Sequence, residues 1–123
     1  MDLTERLRQT VSQRALRIAR EILMSQSEIP MSPGAKCPDG AVTYCAAAAV
    51  AAAGARMARS EAVGALVRRG VETGSKEAVS DAYDALGWPR RLCLDLMVDN
   101  DQADPGKRRI QMAGLIDDAC MTG

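Results

Sequence analysis

The side chains able to do chemistry in this 123-residue chain are thiols, carboxylates, amides and cations, because it contains no histidine. Without imidazole, Cys-His and Ser-His-Asp hydrolase arrangements, His-ligated metal sites and the usual general base near neutral pH are excluded. Cys45 is the candidate nucleophile: it stands in a run of small residues with high helix propensity, close to where a helix N-terminus would lower a thiol pKa. Its base or orienting group would have to come from Asn100, Asp101, or a lysine or arginine. The ordinary role of a cysteine in such a run is a small buried apolar side chain, and the sequence favours that role.

Metal chemistry has little to work with. Cys37, Cys45, Cys93 and Cys120 form no Cys-x-x-Cys knuckle, so a zinc site would need the fold to gather four distant thiolates. A Cys37–Cys45 disulfide is the better use of that pair under oxidising conditions. Asp95, Asp99, Asp101 and Asp104 make an acidic patch. Asp99-x-Asp101 opens like a calcium loop, but Ala103 takes the next ligand position, Asp104 stands where glycine is required, and no Glu follows at the twelfth position. Asp99, Asp101 and Asp104 are left as candidates for a simply held divalent cation, against a solvated turn in which Asp101 or Asp104 caps the last helix. No cofactor is expected.

The basic clusters are Lys107-Arg108-Arg109, read as exposed, and the arginines of the first helix. Neither cluster has an aromatic side chain beside it to stack on a base, and 16 Lys and Arg balance 16 Asp and Glu, so nucleic acid is disfavoured as a partner. Arg14, Arg17 and Arg20 are the residues a DNA-binding first helix would use. Charge is uneven along the chain: residues 1–60 carry eight basic against five acidic residues, and residues 61–123 carry eight against eleven. The two halves can attract each other or a partner. Trp88, the only tryptophan, precedes Pro89-Arg90-Arg91, and Trp with Arg90 and Arg91 is the composition of a protein-binding hot spot. The ordinary alternative is a ring that plugs a helix junction.

These residues need elements to hold them. Asp2 to Glu5 has capping-box spacing, and Leu7, Val11, Ala15, Ile18 and Ile22 recur on one face, which predicts an amphipathic helix over 4–24. Residues 25–40, with three prolines and two glycines, read as a connector. The alanine-rich, uncharged stretch over 41–58 reads as a helix surrounded by other helices. Ser60 caps the next helix, which stops at Gly70, and Ser75 caps another that ends at Gly87 and Pro89. Residues 91–98 alternate like a strand, yet a helix opening at Pro89 is the preferred reading because a lone strand has no partner. Residues 99–106 read as an acidic loop, and 105–120 as the last helix. No stretch near the start has the pattern of a signal peptide, and none reaches the length of a membrane span.

The tracts Cys45-Ala46-Ala47-Ala48-Ala49, Leu96-Met97-Val98-Asp99-Asn100-Asp101 and Arg108 through Ala119 follow one another in this order. In that order the chain resembles a bacterial family of short helical proteins, a domain of unknown function. The resemblance implies a helical fold and no chemistry.

The expectation is a single all-α domain over 1–123, a compact bundle of five or six helices around the helix of 41–58, with 41–123 as its helical core. The expected role is cytoplasmic and non-enzymatic: regulation or binding of a protein partner or a second copy of the chain, since a core this short of large side chains gains from burying more surface. Two other classes stand beside it. One is an enzyme or ligand-binding protein with a pocket on Cys45 and Asn100-Asp101, and the other a DNA-linked regulator using the first helix.

Overall fold

The computed structural model describes residues 2–33 and 43–120. Among them the chain forms seven α-helices and no strand: α1 (Leu3–Thr10), α2 (Gln13–Met24), α3 (Ala46–Arg56), α4 (Glu61–Thr73), α5 (Lys76–Ala85), α6 (Arg90–Gln102) and α7 (Arg108–Cys120). The all-α expectation holds, with seven helices in place of five or six.

The extra helix comes from a break in the first one. Val11 is extended (φ −106°, ψ 133°), and the Ser12 hydroxyl accepts a hydrogen bond from the Ala15 N–H at 3.2 Å, so a new helix starts there. A β-branched residue followed by serine offers the backbone a cap in place of a continued ladder. Val11 uses the bend to bury its side chain.

α3 is the hub. It packs against α2, α4, α5 and α6, while α7 lies on α1 and α2, and α1 also touches α6. All its residues are buried except half-buried Ala52 and exposed Arg56. The helix begins at Ala46 because Cys45 is extended (φ −71°, ψ 172°), and residues 41 and 42 of the expected helix lie outside the described residues. Bulk comes from the neighbours: Leu16 and Leu23 of α2, Val67 and Val71 of α4, Tyr83 of α5, and Leu92 and Leu96 of α6, all buried.

Glycines let these neighbours close in. A Cβ on Gly70 would stand 2.7 Å from the Ala78 carbonyl oxygen, and one on Gly64 would stand 3.2 Å from that of Ala55. Gly70 is therefore a packing glycine inside α4 and not its stop. The stop is Gly74, left-handed at φ 72°.

Residues 90–102 are helical throughout. Leu92, Cys93, Leu96, Met97 and Asn100 are buried at helical spacing, and the apparent strand alternation came from Leu94 and Val98 on the opposite, more exposed face. The acidic loop expected over 99–106 is shorter, since Asp99 to Gln102 belong to α6 and only residues 103–107 join it to α7.

Replacing Gly70 by alanine forces the α4 and α5 backbones apart and lowers stability by about 1–3 kcal/mol. Gly114, inside α7, has no atom within 4 Å of an added Cβ, so Gly114→Ala raises stability by about 0.5–1 kcal/mol. Urea denaturation of the two variants moves in opposite directions.

Candidate functional site

Asn100 is polar and yet has no exposed surface. Its Oδ1 accepts from the Ala46 N–H at 2.9 Å, and its Nδ2 donates to the Pro30 carbonyl at 3.0 Å and to Asp101 Oδ1 at 3.1 Å. The N-terminus of α3 needs this help, because Cys45 stands at the N-cap and makes no side-chain capping bond. Asp101 Oδ1 also accepts from the Ser32 N–H at 2.6 Å, so two neighbouring residues of α6 hold residues 30–32.

Arg108 completes the cluster. Expected as part of an exposed basic run, it is buried: its Nε donates to the Asn100 carbonyl at 2.8 Å, and its Nη2 contacts the Ala103 carbonyl at 3.3 Å and Met31 Sδ at 3.1 Å. A guanidinium on the last carbonyls of α6 meets the negative end of that helix. The sequence held a signal for this, since Arg108 precedes Met112 by four residues and continues the inner face of α7. Arg109 donates to the Gln26 carbonyl at 2.8 Å. Gln26 in turn pairs both its amide groups with the Tyr44 backbone, at 2.7 and 3.0 Å, so the two ends of the segment between α2 and α3 are tied together.

Cys45 and Asn100 are thus neighbours, as the ligand-pocket reading requires, but both side chains are fully buried. The amide makes three structural hydrogen bonds. Cys93 lies in the same part of the core, with the Ser80 hydroxyl 3.8 Å from its sulfur, and burial pushes its thiol up to about 11. Tyr83 is fully buried, with its hydroxyl donating to the Ala47 carbonyl at 2.8 Å, and burial raises its pKa as well. These are unreactive settings. Cys37 lies outside the described residues, and with it the Cys37–Cys45 pairing and the four-thiolate arrangement.

The carboxylate candidates do not converge. Among the described residues no three Cys, Asp or Glu side chains gather to hold a metal. Asp99 is on α6, Asp101 faces Ser32 and Asn100, and Asp104 Oδ1 accepts from the Gly106 N–H at 3.1 Å in the turn before α7. Asp101 does not cap the last helix as expected, because its position within α6 aims it back at residue 32.

Trp88 is positioned by the end of α5. Gly87 is left-handed (φ 77°), its N–H donates to the Asp84 carbonyl at 3.0 Å, and the Trp88 N–H donates to the Tyr83 carbonyl at 2.9 Å, a Schellman closure. The Trp88 ring meets the edge of Tyr83 at 5.5 Å and lies over Gly54, where an added Cβ would come within 2.5 Å of it. The ring does plug a junction, but only half of that task buries it. With Gly54, Met57, Val63 and Leu86 it lines an open groove of about 540 Å³, at whose rim stands Arg59. Met57 was not singled out in the sequence, and the groove was not foreseen because these lining residues come from α3 and its C-cap, α4 and the α5–α6 turn.

The arginines divide. Arg90 pairs with Asp81 at 2.8 Å and with Asp84, and Arg91 with Asp95 at 3.2 Å. Arg20 pairs with Asp117 at 2.6 Å across the α2–α7 contact, which the first-helix reading did not foresee. Arg14 and Arg17 are exposed.

Removing the Asn100 amide leaves the Ala46 N–H and the Pro30 carbonyl buried and unpaired, so Asn100→Ala lowers stability by about 2–3 kcal/mol in urea denaturation. Iodoacetamide labelling followed by mass spectrometry, with a phosphine reductant present, modifies half-buried Cys120 ahead of Cys45 and Cys93. Cys45 and Cys93 label about a hundredfold or more slowly than in the urea-unfolded chain. A native Cys45 that labels as fast as Cys120 would restore the nucleophile reading.

The chain matches no protein-family model, no curated protein and no solved structure, so the roles of these residues rest on their geometry.

Proposed function

We propose that this protein is a cytoplasmic, non-enzymatic binding module that takes an apolar anchor of a partner protein into the groove beneath Trp88. The observation that carries the reading is Trp88 itself: a half-buried indole, fixed by the Schellman turn, on the wall of an open recess with apolar neighbours from α3, α4 and the α5–α6 turn. Rigid aromatic side chains over a concave apolar floor concentrate binding energy. Arg59 at the rim is exposed and forms no ion pair within the described residues, which favours an acidic flank beside the anchor.

A pocket enzyme on Cys45 and Asn100 is less well supported, because both side chains are buried and the amide serves the fold. A DNA-linked role has only Arg14 and Arg17, since Arg20 is engaged by Asp117. The resemblance to the bacterial family adds a helical fold to this proposal and no activity. No helix of the described residues is long and apolar enough to cross a membrane.

Trp88 is the only tryptophan, so its fluorescence reports on the groove directly. Peptides selected from a random display library against the protein carry a large apolar residue flanked by Asp or Glu, shift Trp88 emission to the blue, and lose binding in Met57→Glu. Selected peptides that leave Trp88 emission unchanged overturn the proposal. So does a blue shift that grows with protein concentration alone, which assigns the groove to a second copy of the chain.

A further inference from the structure

A second recess lies at the other end of the α5–α6 pair. It measures about 390 Å³ and is walled by Ser32, Lys76, Leu94, Met97, Val98 and Asp101. That volume lies within the range of small-molecule sites, and the floor is apolar, with Val98 half exposed.

Two charged groups, Asp101 and Lys76, line this floor. Asp101 holds its Oδ1 in bonds from the Ser32 and Asn100 side, at 2.6 and 3.1 Å, and these fix the carboxylate while no bond within the described residues uses Oδ2. Ser32 Oγ is the one buried side-chain oxygen or nitrogen without a hydrogen-bond partner among the described residues. The atom has no accessible surface, so a ligand in the open recess meets the charged groups and not this hydroxyl. Lys76, at the start of α5, is exposed and brings an ammonium that no carboxylate of the described residues engages.

The spacing of these groups defines a ligand. Leu94 and Asp101 are seven residues apart on α6, two helical turns or about 10 Å along the axis. Lys76 and Leu94 also line the adjoining recess of about 380 Å³ with Arg90, so Lys76 stands toward the Leu94 end and Asp101 marks the other. A carboxylate can accept from a protonated amine. An ammonium several ångströms away, across an apolar floor, can take an anion.

We propose that this recess binds an extended zwitterion, with a protonated amine on Asp101, a carboxylate on Lys76, and an apolar body over Leu94, Met97 and Val98. Short apolar peptides with free termini and straight-chain ω-amino acids share this chemistry. A single α-amino acid does not, because its two charges sit on one carbon and cannot span the floor.

Methyl and amide NMR titration of the full chain tests the proposal with leucyl-leucine and 6-aminohexanoate as probes. Either probe, on binding, shifts the methyl signals of Leu94, Met97 and Val98, and the tighter of the two identifies the source. N-acetylating the probe weakens binding about tenfold or more, because it removes a charge-assisted hydrogen bond. Amidating its carboxylate weakens binding in the wild type and makes no difference in Lys76→Gln. Asp101→Asn, which keeps an acceptor for the Ser32 N–H, weakens binding as N-acetylation does. Should that variant unfold, the blocked probes on the wild-type chain decide the matter alone. Met57→Glu, in the Trp88 groove, leaves these affinities unchanged, so this test stands apart from the proposed protein-binding role. The proposal is overturned if neither probe shifts the three methyl signals, if N-acetylation has no effect, or if hexylamine binds as well as 6-aminohexanoate.

Discussion

The hydrogen bond from the Ala46 N–H to the Asn100 side chain is the contact on which the arrangement of the core depends. A central helix made almost wholly of alanine cannot supply its own cap without placing a polar side chain where its neighbours need an apolar one. Cys45 satisfies the packing demand and is a poor acceptor, so the acceptor comes from α6. That choice has consequences along the chain. The same amide fixes Pro30, its own carbonyl receives Arg108, and Arg108 reaches Met31, so one buried group ties α3, α6, α7 and residues 30–31. A network of this kind is stable only when every member is satisfied. It also explains why the most reactive-looking part of the sequence carries no visible reactive group: its polar atoms are engaged with the backbone.

The small surface of α3 sets the second constraint. Where large side chains face it, as with Tyr83 and Leu96, the core is closed. Toward its C-terminal end the floor is Gly54, the covering group is Trp88, and the recess stays open. The groove is therefore a product of the same economy of bulk that lets the neighbouring helices approach closely. The shortage of large residues, visible in the composition, is made up inside by short helix separations and left uncorrected at this one end.

Much of the fold was legible because local signals fixed it. Asp2, Ser60 and Ser75 cap the helices they were expected to cap, and Gly87 closes α5. The failures share a cause, which is that tertiary contacts gave a residue a role its neighbours in sequence do not announce. Gly70 read as a stop because nothing local shows that Ala78 will press against it. Asp99 and Asp101 read as a loop because acidic residues in a row look solvated, yet they continue a helix whose buried face needs Asn100. Arg108 read as exposed between Lys107 and Arg109, although its spacing to Met112 already put it inward. For the site, Cys45 and Asn100 stand close in space, and the Asn100 amide is taken up by the Ala46 N–H and the Pro30 carbonyl. Trp88 was found as a single residue, while the groove around it required three segments to meet.

The division between inner and outer polar groups bears on the kind of activity the fold can sustain. Catalysis needs a reactive group in a place a substrate can reach, with its pKa near the working pH. Here the buried thiol of Cys93 and the phenol of Tyr83 are moved away from neutrality by burial, and the amide of Asn100 is occupied. Among the described residues the surface offers an indole above an apolar recess at one end of the α5–α6 pair, and a carboxylate and an ammonium beside another at the opposite end. The pair between them is held by Arg90 on Asp81 and by Ser80 against Cys93, so both recesses are built on one braced unit. Under the proposed binding role, these shaped apolar hollows with few polar groups at their rims would hold a partner in a defined orientation.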